Sequence, residues 1–311
     1  MDHADIFTDY VQPFQIEAPG LRGRLVRLGP AVDGVLARHG YPAPVAGILD
    51  EALCMGAVLA SGLEYDGIFT LQIQGDGPVS LLVADMTSEG AIRGYARFDA
   101  KRLEKTGRGA ESPVPRLLGA GHMAFTVDQG PNTERYQGIT PLEGATLADC
   151  AHTYFQQSEQ LDTAITLCAS PRAVTASETD GVWRSAALMI QRLPANGSAD
   201  RDAEEDDWRR AVAMMSTVTA AELLGSTLSA SEILYRLFHE DGVRVYRQRA
   251  LRHECRCSRP RVERTLRSFP RPEVESMIED GHLSVTCEFC KAVYRFDRGE
   301  LNSLWRPLHA L

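Results

Sequence analysis

The sequence lacks the features of an exported or membrane protein. Its first nine residues are acidic, and no basic start followed by an apolar run marks a signal peptide. No stretch approaches the ~20 consecutive apolar residues that a membrane span needs. We therefore expect a cytoplasmic protein with no membrane partner. Thiols stay reduced in that compartment, so the few cysteines indicate a metal site or a redox sensor rather than permanent disulfides.

A phosphate-binding loop and an excess of positive charge are also missing. The chain has no Gly-X-X-X-X-Gly-Lys-Ser/Thr motif, which argues against ATP-driven cycling. Its formal net charge of −9 argues against general nucleic-acid binding. Ten arginines nevertheless lie between Arg244 and Arg271, against two glutamates. This cluster fits a phosphate-binding face, charge balance around nearby thiolates, or plain solvation of a helix surface.

Four of the seven cysteines form two tight pairs near the C-terminal end. The pairs, Cys255-Arg-Cys257 and Cys287-Glu-Phe-Cys290, are separated by 29 residues. Four soft thiolates suit tetrahedral Zn²⁺, and each pair supplies two ligands from one turn of backbone. The spacing predicts one zinc ion per chain, bound by these four residues. His253 and His282 lie near enough in sequence to replace one cysteine, but we expect both to be exposed.

The hydrophobic pattern over residues 1–171 predicts an α+β core, an antiparallel sheet with packed helices. The largely apolar stretch Val45 to Leu63 has no proline and predicts a buried helix. Cys54, Cys150 and Cys168 have no paired spacing and are expected to be small buried apolar residues. The predicted strands are Ile68 to Gln74, Val79 to Met86, Ile92 to Phe98, His122 to Asp128 and Arg135 to Leu142, and a further helix is predicted from Thr146 to Leu161.

Residues 172–234 have a different character and predict a movable helical linker. The segment Val182 to Leu193 fits either a strand or a helix. A helix is predicted from Trp208 to Leu224, just after the acidic run 202–207, and another from Ser231 to His239. Because these helices are short and rich in Thr and Ser, docking must supply most of their stability.

Residues 235–311 are the predicted zinc domain. Between the two cysteine pairs, a helix from Arg259 to Arg267 would be capped by Ser258. A second helix, from Arg271 to Asp280, would begin at a proline and end at a glycine. The long loop therefore predicts a compact helical insert.

Several short segments carry a resemblance that spans nearly the whole chain. They are Val11-Gln-Pro-Phe, Leu25-Val-Arg-Leu-Gly-Pro30, Leu71-Gln-Ile-Gln-Gly-Asp-Gly-Pro78, Arg93-Gly-Tyr, Glu134-Arg-Tyr-Gln-Gly138, Tyr154-Phe-Gln-Gln-Ser-Glu-Gln160, Leu237-Phe-His-Glu240 and Cys255-Arg-Cys-Ser258. In this order they resemble the bacterial thirty-three-kilodalton redox-regulated heat-shock chaperone family.

The resemblance implies a client-binding and dimerising α+β core, a metastable helical linker and a C-terminal zinc domain. It also implies an ATP-independent holdase rather than an enzyme. Such a chaperone is inactive while reduced and zinc-bound, and once oxidised it protects unfolding proteins from aggregation. Carried over residue by residue, it makes Cys255, Cys257, Cys287 and Cys290 both the zinc ligands and the redox switch.

The four cysteines allow three disulfide pairings. Crossed pairs would keep the long loop closed and preserve much of its entropic constraint. Local pairs, Cys255 with Cys257 and Cys287 with Cys290, close loops of only about three or four residues and would not restore the fold. We hypothesise local pairing, with release of zinc, unfolding of the linker and homodimer formation.

Three other functions fit parts of the sequence. A zinc-ribbon regulator would bind nucleic acid through the Arg244 to Arg271 cluster. A thiol oxidoreductase would use Cys287-Glu-Phe-Cys290, but a redox Cys-X-X-Cys normally opens a helix beside a βαβ pattern. A permanent zinc staple is the third, and it is the commonest role of four-cysteine sites. Only the Cys-X-Cys pair and the whole-chain resemblance favour a switch over a staple.

Overall fold

The structure, a computed structural model, describes residues 7–17, 20–106, 112–130, 133–159, 161–171, 183–192 and 201–305. It divides into two compact units, unit 1 (Met1–His253) and unit 2 (Glu254–Leu311). The predicted boundaries at residues 171 and 234 concern which segment moves on oxidation, and they stay predictions. The α+β fold class is confirmed, with antiparallel sheets, helices and a C-terminal cysteine cluster.

The helices and strands follow the chain in a mixed order. The strands are β1 (Tyr10–Ile16), β2 (Leu21–Leu28), β3 (Ile68–Gly75), β4 (Val79–Thr87), β5 (Ala91–Phe98), β6 (Gly121–Asp128), β7 (Tyr136–Pro141), β8 (Thr163–Pro171), β9 (Trp183–Arg192), β10 (Val243–Val245), β11 (Arg249–Ala250), β12 (Arg252–His253), β13 (His282–Thr286) and β14 (Val293–Asp297). The α-helices are α1 (Pro30–Leu36), α2 (Ala43–Ser61), α3 (Ala100–Lys105), α4 (Leu147–Tyr154), α5 (Arg201–Met215), α6 (Ala220–Leu224), α7 (Ala230–Phe238), α8 (Arg259–Arg267), α9 (Arg271–Ser276) and α10 (Arg298–Leu304).

Unit 1 contains two sheets where the sequence predicted one. Sheet I has the order β10-β1-β2-β9-β8, and β11 also pairs with β1. Sheet II has the order β12-β5-β4-β3-β6-β7 and contains all five predicted strands as antiparallel neighbours. The ambiguous segment Val182 to Leu193 forms β9, which pairs with β2 across more than 150 residues of sequence. Local sequence patterns cannot show that strands so far apart in the chain pair with each other, so sheet I was not predicted.

Helix α2 occupies the core of unit 1, as predicted. It packs against β4 and β5 of sheet II and against β8 and β9 of sheet I. A helix enclosed on both sides must be apolar all round, and this explains its composition. Its length and hydropathy would suit a membrane span, but 78% of its apolar window is buried inside the protein. Cys54 on this helix and Cys150 on α4 are fully buried as expected, whereas Cys168 is half-buried.

Asp50 is an acidic residue inside this apolar helix. It is 0% exposed, and neither of its carboxylate oxygens has a hydrogen-bond partner in the described part of the chain. Burial raises the pKa of Asp50 well above its ordinary value. The nearby Ser185 hydroxyl opposes this shift and lowers the pKa, without forming a well-aligned hydrogen bond. Burial therefore favours the neutral form of Asp50 in the folded protein.

The Asp50→Asn variant is expected to lose part of the pH dependence of stability. Aspartate ionises in the unfolded chain above about pH 4, whereas burial keeps the folded Asp50 protonated to higher pH, so folding takes up a proton between the two pKa values. The free energy of unfolding of the wild type should therefore fall as pH rises, by at most about 1.4 kcal/mol per pH unit for this one group. Urea unfolding of the reduced wild type and of Asp50→Asn between pH 5 and pH 8 measures, for each protein, how the free energy of unfolding changes with pH. Equal slopes would contradict a neutral buried Asp50.

Helices α5, α6 and α7 cover the face of sheet I that points away from α2. They bury a second apolar cluster that includes Phe14, Leu25 and Leu188 of the sheet and Leu234 and Phe238 of α7. The rings of Phe14 and Phe238 stack with their centroids 5.9 Å apart. The helices are therefore docked on sheet I in this structure. The predicted linker 172–234 also includes β9, so the name linker is kept below for α5 to α7, and their movement stays a prediction.

The predicted single helix from Trp208 to Leu224 is wrong. The chain forms α5, which already begins at Arg201 and includes the acidic run, and then a separate α6. Thr219 interrupts the pattern because its hydroxyl accepts a hydrogen bond from the Glu222 N–H while the Glu222 carboxylate accepts one from the Thr219 N–H. This capping box starts a new helix within a continuous apolar stripe.

Unit 2 has a small core. Among the described residues, its core is made by apolar side chains of α8, α9, α10 and the β13–β14 hairpin. They are Leu266, Val274, Leu283, Phe296, Leu301 and Leu304. The predicted helix at Arg259 to Arg267 is confirmed, although the Ser258 side chain makes no capping hydrogen bond. The helix predicted to reach Asp280 ends at Ser276. Domains of this size are marginally stable unless a metal or disulfides support them.

Candidate metal centre

The fold of unit 2 brings the four predicted cysteines together. The Sγ atoms of Cys255, Cys257, Cys287 and Cys290 all lie within 4.8 Å of one another. Cys255 Sγ is 3.8 Å from Cys287 Sγ, and Cys257 Sγ is 3.3 Å from Cys290 Sγ. Four sulfurs bonded tetrahedrally to Zn²⁺ at about 2.3 Å would lie roughly 3.8 Å apart. The spacing and the all-thiol donor set therefore fit a zinc ion.

The second cysteine pair lies in a tight turn between β13 and β14. The Cys287 N–H donates to the Ala292 carbonyl (2.9 Å), and the Lys291 N–H donates to the Cys287 carbonyl (2.8 Å). These bonds close the turn and aim both thiols to one side. To complete it, Lys291 adopts a φ of 57°, in the left-handed region. A residue with a Cβ is strained there, whereas glycine is not.

The Lys291→Gly variant is expected to bind the metal more tightly. Removing the Cβ should stabilise the turn by about 1 kcal/mol, which is roughly a fivefold gain in affinity. The side chain forms only an exposed ion pair with Glu288 at 3.4 Å, and such pairs contribute little. Competition with a chromogenic zinc chelator measures the change. Lys291→Ala removes the same charge but keeps the Cβ, so a comparable gain in that control would refute the strain argument.

The first pair lies in irregular backbone just before α8. The Arg261 side chain donates to the Arg256 carbonyl (2.9 Å), which ties this segment to the first turn of the helix. Tyr294 on β14 donates its hydroxyl to Cys257 Sγ at 3.1 Å. Sequence reasoning missed Tyr294. The only feature of the sequence that could have indicated its role is its position near the second cysteine pair, four residues after Cys290.

Three of the thiols have pKa values shifted from that of a free cysteine, in different directions. Burial would raise the pKa of Cys255, but the Cys257 backbone N–H and the neighbouring thiols lower it to about 7. Burial raises the pKa of Cys287, and it raises the pKa of Cys290 to about 12. A metal that binds all four sulfurs must therefore displace protons at neutral pH, so its affinity should fall in acid.

Neither nearby histidine joins the group of four sulfurs. His282 is exposed, as expected, with Nδ1 3.2 Å from the Asp280 carbonyl. His253 was expected to be exposed, but it is half-buried on β12. It packs over Gly34, where a Cβ would lie only 2.6 Å from His253 Nδ1, and burial lowers its pKa.

Several arginines of the 244–271 cluster contact carboxylates. Arg244 pairs with Glu17 (2.5 Å) and Arg252 with Glu89 (3.9 Å) in unit 1. In unit 2, the pairs are Arg259 with Glu300 (2.6 Å) and Arg271 with Glu275 (2.7 Å). These pairs favour local charge balance over a continuous phosphate-binding face.

Comparisons of the sequence and of the fold with known proteins all point to one family. The family model described as Hsp33 protein matches residues 9–297. The 33 kDa chaperonin of Caulobacter vibrioides is 43% identical over 296 residues, covering 94% of this chain and 96% of that protein. The 33 kDa chaperonin of Pseudomonas fluorescens is 35% identical over 300 residues, covering 96% and 94%. The crystal structure of a 33 kDa chaperonin from Thermotoga maritima has the same fold, with a TM-score of 0.79 at 24% identity over 96% of this chain and 97% of that one.

Proposed function

The chain belongs to the Hsp33 family, and on that premise we propose that it is a redox-regulated, ATP-independent holdase chaperone of the cytoplasm. Membership supports a chaperone function, and its relatives are named chaperonins, which is consistent with a protein that is not an enzyme. The observation that carries the redox part of the proposal is the convergence of four thiols within 4.8 Å in a unit with a small core.

In the reduced protein, Cys255, Cys257, Cys287 and Cys290 would bind one Zn²⁺. Bound zinc would hold all four sulfurs as thiolates. Thiolate is the form that oxidants attack, so the ligands that stabilise unit 2 are also its reactive groups. The site would therefore act as a switch rather than as a permanent staple.

Oxidation would join Cys255 to Cys257 and Cys287 to Cys290. In each step two thiolates give two electrons to a peroxide or a hypohalous acid, which is reduced, and one S–S bond forms. Sulfur contacts of 3.8 Å and 3.3 Å run between the pairs, and the thiols within each pair also interact, so proximity does not decide the pairing. Loop closure favours local pairing, because local disulfides would remove the ligands without restoring the constraint that zinc would impose on the long loop.

The apolar face of sheet I would be the client surface. In the structure it is covered by α5, α6 and α7, and the covered cluster includes Phe14, Leu25 and Leu188. A large contiguous apolar face, once it is exposed to solvent, binds other apolar surfaces. Unfolding client proteins and a second copy of the chain would both bind there, giving the proposed homodimer on activation.

Two buried arginines hold the linker on this face. The Arg27 guanidinium donates to the carbonyls of Leu228 (2.8 Å) and Glu222 (2.9 Å), and the Arg184 guanidinium donates to that of Leu224 (3.1 Å). The carbonyls of Glu222 and Leu224 lie in the last turn of α6. Carbonyls at the C-terminal end of a helix lack partners within the helix, and a positive charge there is favourable. The linker is thus attached partly through its backbone, which any local unfolding would break.

Chain continuity supports coupling between the switch and the linker. The segment after α7 runs through β10, β11 and β12, and a single residue, Glu254, separates β12 from Cys255. Strand β10 pairs with β1 over only three residues. Loss of structure in unit 2 would free one end of these short strands and weaken the support for α7.

The test uses one purified, reduced, zinc-loaded sample. We would measure zinc release and suppression of aggregation of an unfolding client, before and after hydrogen peroxide with mild heat. The proposal expects zinc loss and holdase activity to rise together and to reverse with reductant plus zinc. Zinc that stays bound with no activity would identify a permanent staple. Peptide mapping that finds mainly crossed disulfides would contradict the pairing.

A further inference from the structure

Unit 1 encloses a cavity of about 380 Å³ that the redox switch does not use. It lies at the C-terminal end of α2, between sheet II and the β9 strand of sheet I. Two of the family-like segments, Glu134–Gly138 and Tyr154–Gln160, supply part of its wall through Tyr136, Tyr154 and Glu159. Its volume is in the range of small-molecule sites.

One wall of the cavity is a run of aromatic rings. Ring centroids are 6.4 Å apart for Phe69 and Phe125, 4.5 Å for Phe125 and Tyr154, and 5.4 Å for Tyr154 and Phe155. The position of the Tyr154 phenol requires a glycine opposite, because a Cβ at residue 138 would lie 2.4 Å from Tyr154 Oη. Such a wall offers π-faces to a ligand and attracts cations.

Glu159 lines the same cavity with one oxygen already bonded. The hydroxyls of Tyr136 and Tyr154 both donate to Glu159 Oε1, and they lie 3.0 Å from each other. The bond to Glu159 raises the pKa of Tyr136, and burial raises that of Tyr154, so both phenols stay protonated at neutral pH. Within the described residues, no group donates to Glu159 Oε2.

The backbone that carries Glu159 is unusual. After α4 the chain continues as a π-helical turn, Phe155–Glu159, which places Phe155 and Glu159 together at the cavity. Such turns are rare and frequently occur at functional sites. This observation is independent of the charge and of the aromatic wall.

The cavity has negative charge without a matching cation. Among the lining residues that the structure describes, Glu64 and Glu159 are acidic and none is Lys, Arg or His. A carboxylate beside apolar walls favours a cationic partner. We propose that this cavity binds an organic ammonium ion whose charged head contacts Glu159 Oε2 and whose apolar body lies on the aromatic wall. The proposal does not depend on the holdase function.

The test is isothermal titration calorimetry with 2-phenylethylammonium on the reduced, zinc-loaded protein. Two probes of similar shape serve as comparisons, neutral 2-phenylethanol and anionic 3-phenylpropionate. The wild type is expected to bind the ammonium ion at least about tenfold more tightly than either comparison, because only the cation can pair with the carboxylate.

The Glu159→Gln variant should lose this preference while binding the neutral alcohol as the wild type does. Glu64→Gln removes the other, exposed lining carboxylate and should keep the preference. Tyr136→Phe deletes one donor to Oε1 and should change the affinity for the cation less than Glu159→Gln. Absence of saturable ammonium binding to the wild type, or an unchanged preference in Glu159→Gln, would overturn the proposal.

Discussion

Replacing Cys290 with serine is expected to unfold unit 2 while helix α2 and strands β1 to β9 of unit 1 stay folded. A structural zinc site contributes on the order of 10–16 kcal/mol in small zinc modules, comparable with the whole stability of a domain. The apolar core of unit 2 is small, so nothing else in it offsets such a loss. Zinc content by chromogenic assay and hydrogen exchange over residues 254–305 measure the effect.

The matched control for this prediction is Cys168→Ser. Cys168 is half-buried in unit 1, and its thiol lies 3.6 Å from the Ala186 carbonyl, to which a serine hydroxyl can also donate. This variant should keep one zinc ion and a protected unit 2. If Cys290→Ser retained stoichiometric zinc and slow exchange in unit 2, the four-thiol site would not be what holds the unit together.

Leu234→Asp is expected to make the reduced, zinc-loaded protein active as a holdase. Leu234 is 0% exposed on α7 and belongs to the cluster between the linker and sheet I. An unpaired buried carboxylate there costs about 3–5 kcal/mol, enough to undock a short helix that depends on packing. Client aggregation assays without oxidant, together with a dye that binds apolar surface, report the exposed face.

Tyr235→Asp is the control on the same helix, because Tyr235 is 63% exposed and its replacement introduces the same charge without burial. It should stay inactive until oxidised. Hydrogen exchange in α2 separates undocking from general unfolding, since the α2 amides should remain protected in Leu234→Asp. A reduced Leu234→Asp protein that bound zinc, kept α2 protected and showed no holdase activity would disprove sheet I as the client surface.

The two variants act at opposite ends of the proposed switch. Cys290→Ser removes the support that the metal gives to unit 2, and Leu234→Asp removes the docking of the linker directly. If unit 2 controls the linker, Cys290→Ser should also show holdase activity without oxidant. Unfolding of unit 2 with a linker that stays protected would separate the metal site from client binding.

Local patterns were sufficient for much of the fold. The apolar stretch Val45 to Leu63 predicted α2, because a helix enclosed between two sheets has no polar face. The five predicted strands of sheet II were visible as short apolar runs, and turn signals such as Gly75–Pro78 separated neighbouring ones. The cysteine spacing identified the four thiols, since ligand identity depends on chemistry that is present in the sequence itself.

Where local signals competed, the sequence was misleading. The apolar stripe from Trp208 to Leu224 favoured one helix, but the Thr219–Glu222 capping box divided it. His253 looked like an exposed residue, yet β12 returns to pair with β5 and half-buries it. Each outcome depended on hydrogen bonds or packing that periodicity does not encode.

The sequence by itself identified the four cysteines that the fold brings together and the apolar central helix. Tertiary structure alone decided that β2 and β9 pair, that Tyr294 donates to Cys257, that two arginines hold the end of α6 and that two distant segments meet at Glu159. The physical reason is the distance along the chain over which each kind of interaction acts. Side-chain chemistry and helical periodicity act over a few residues, whereas these contacts join residues far apart in the chain and form only when the fold closes.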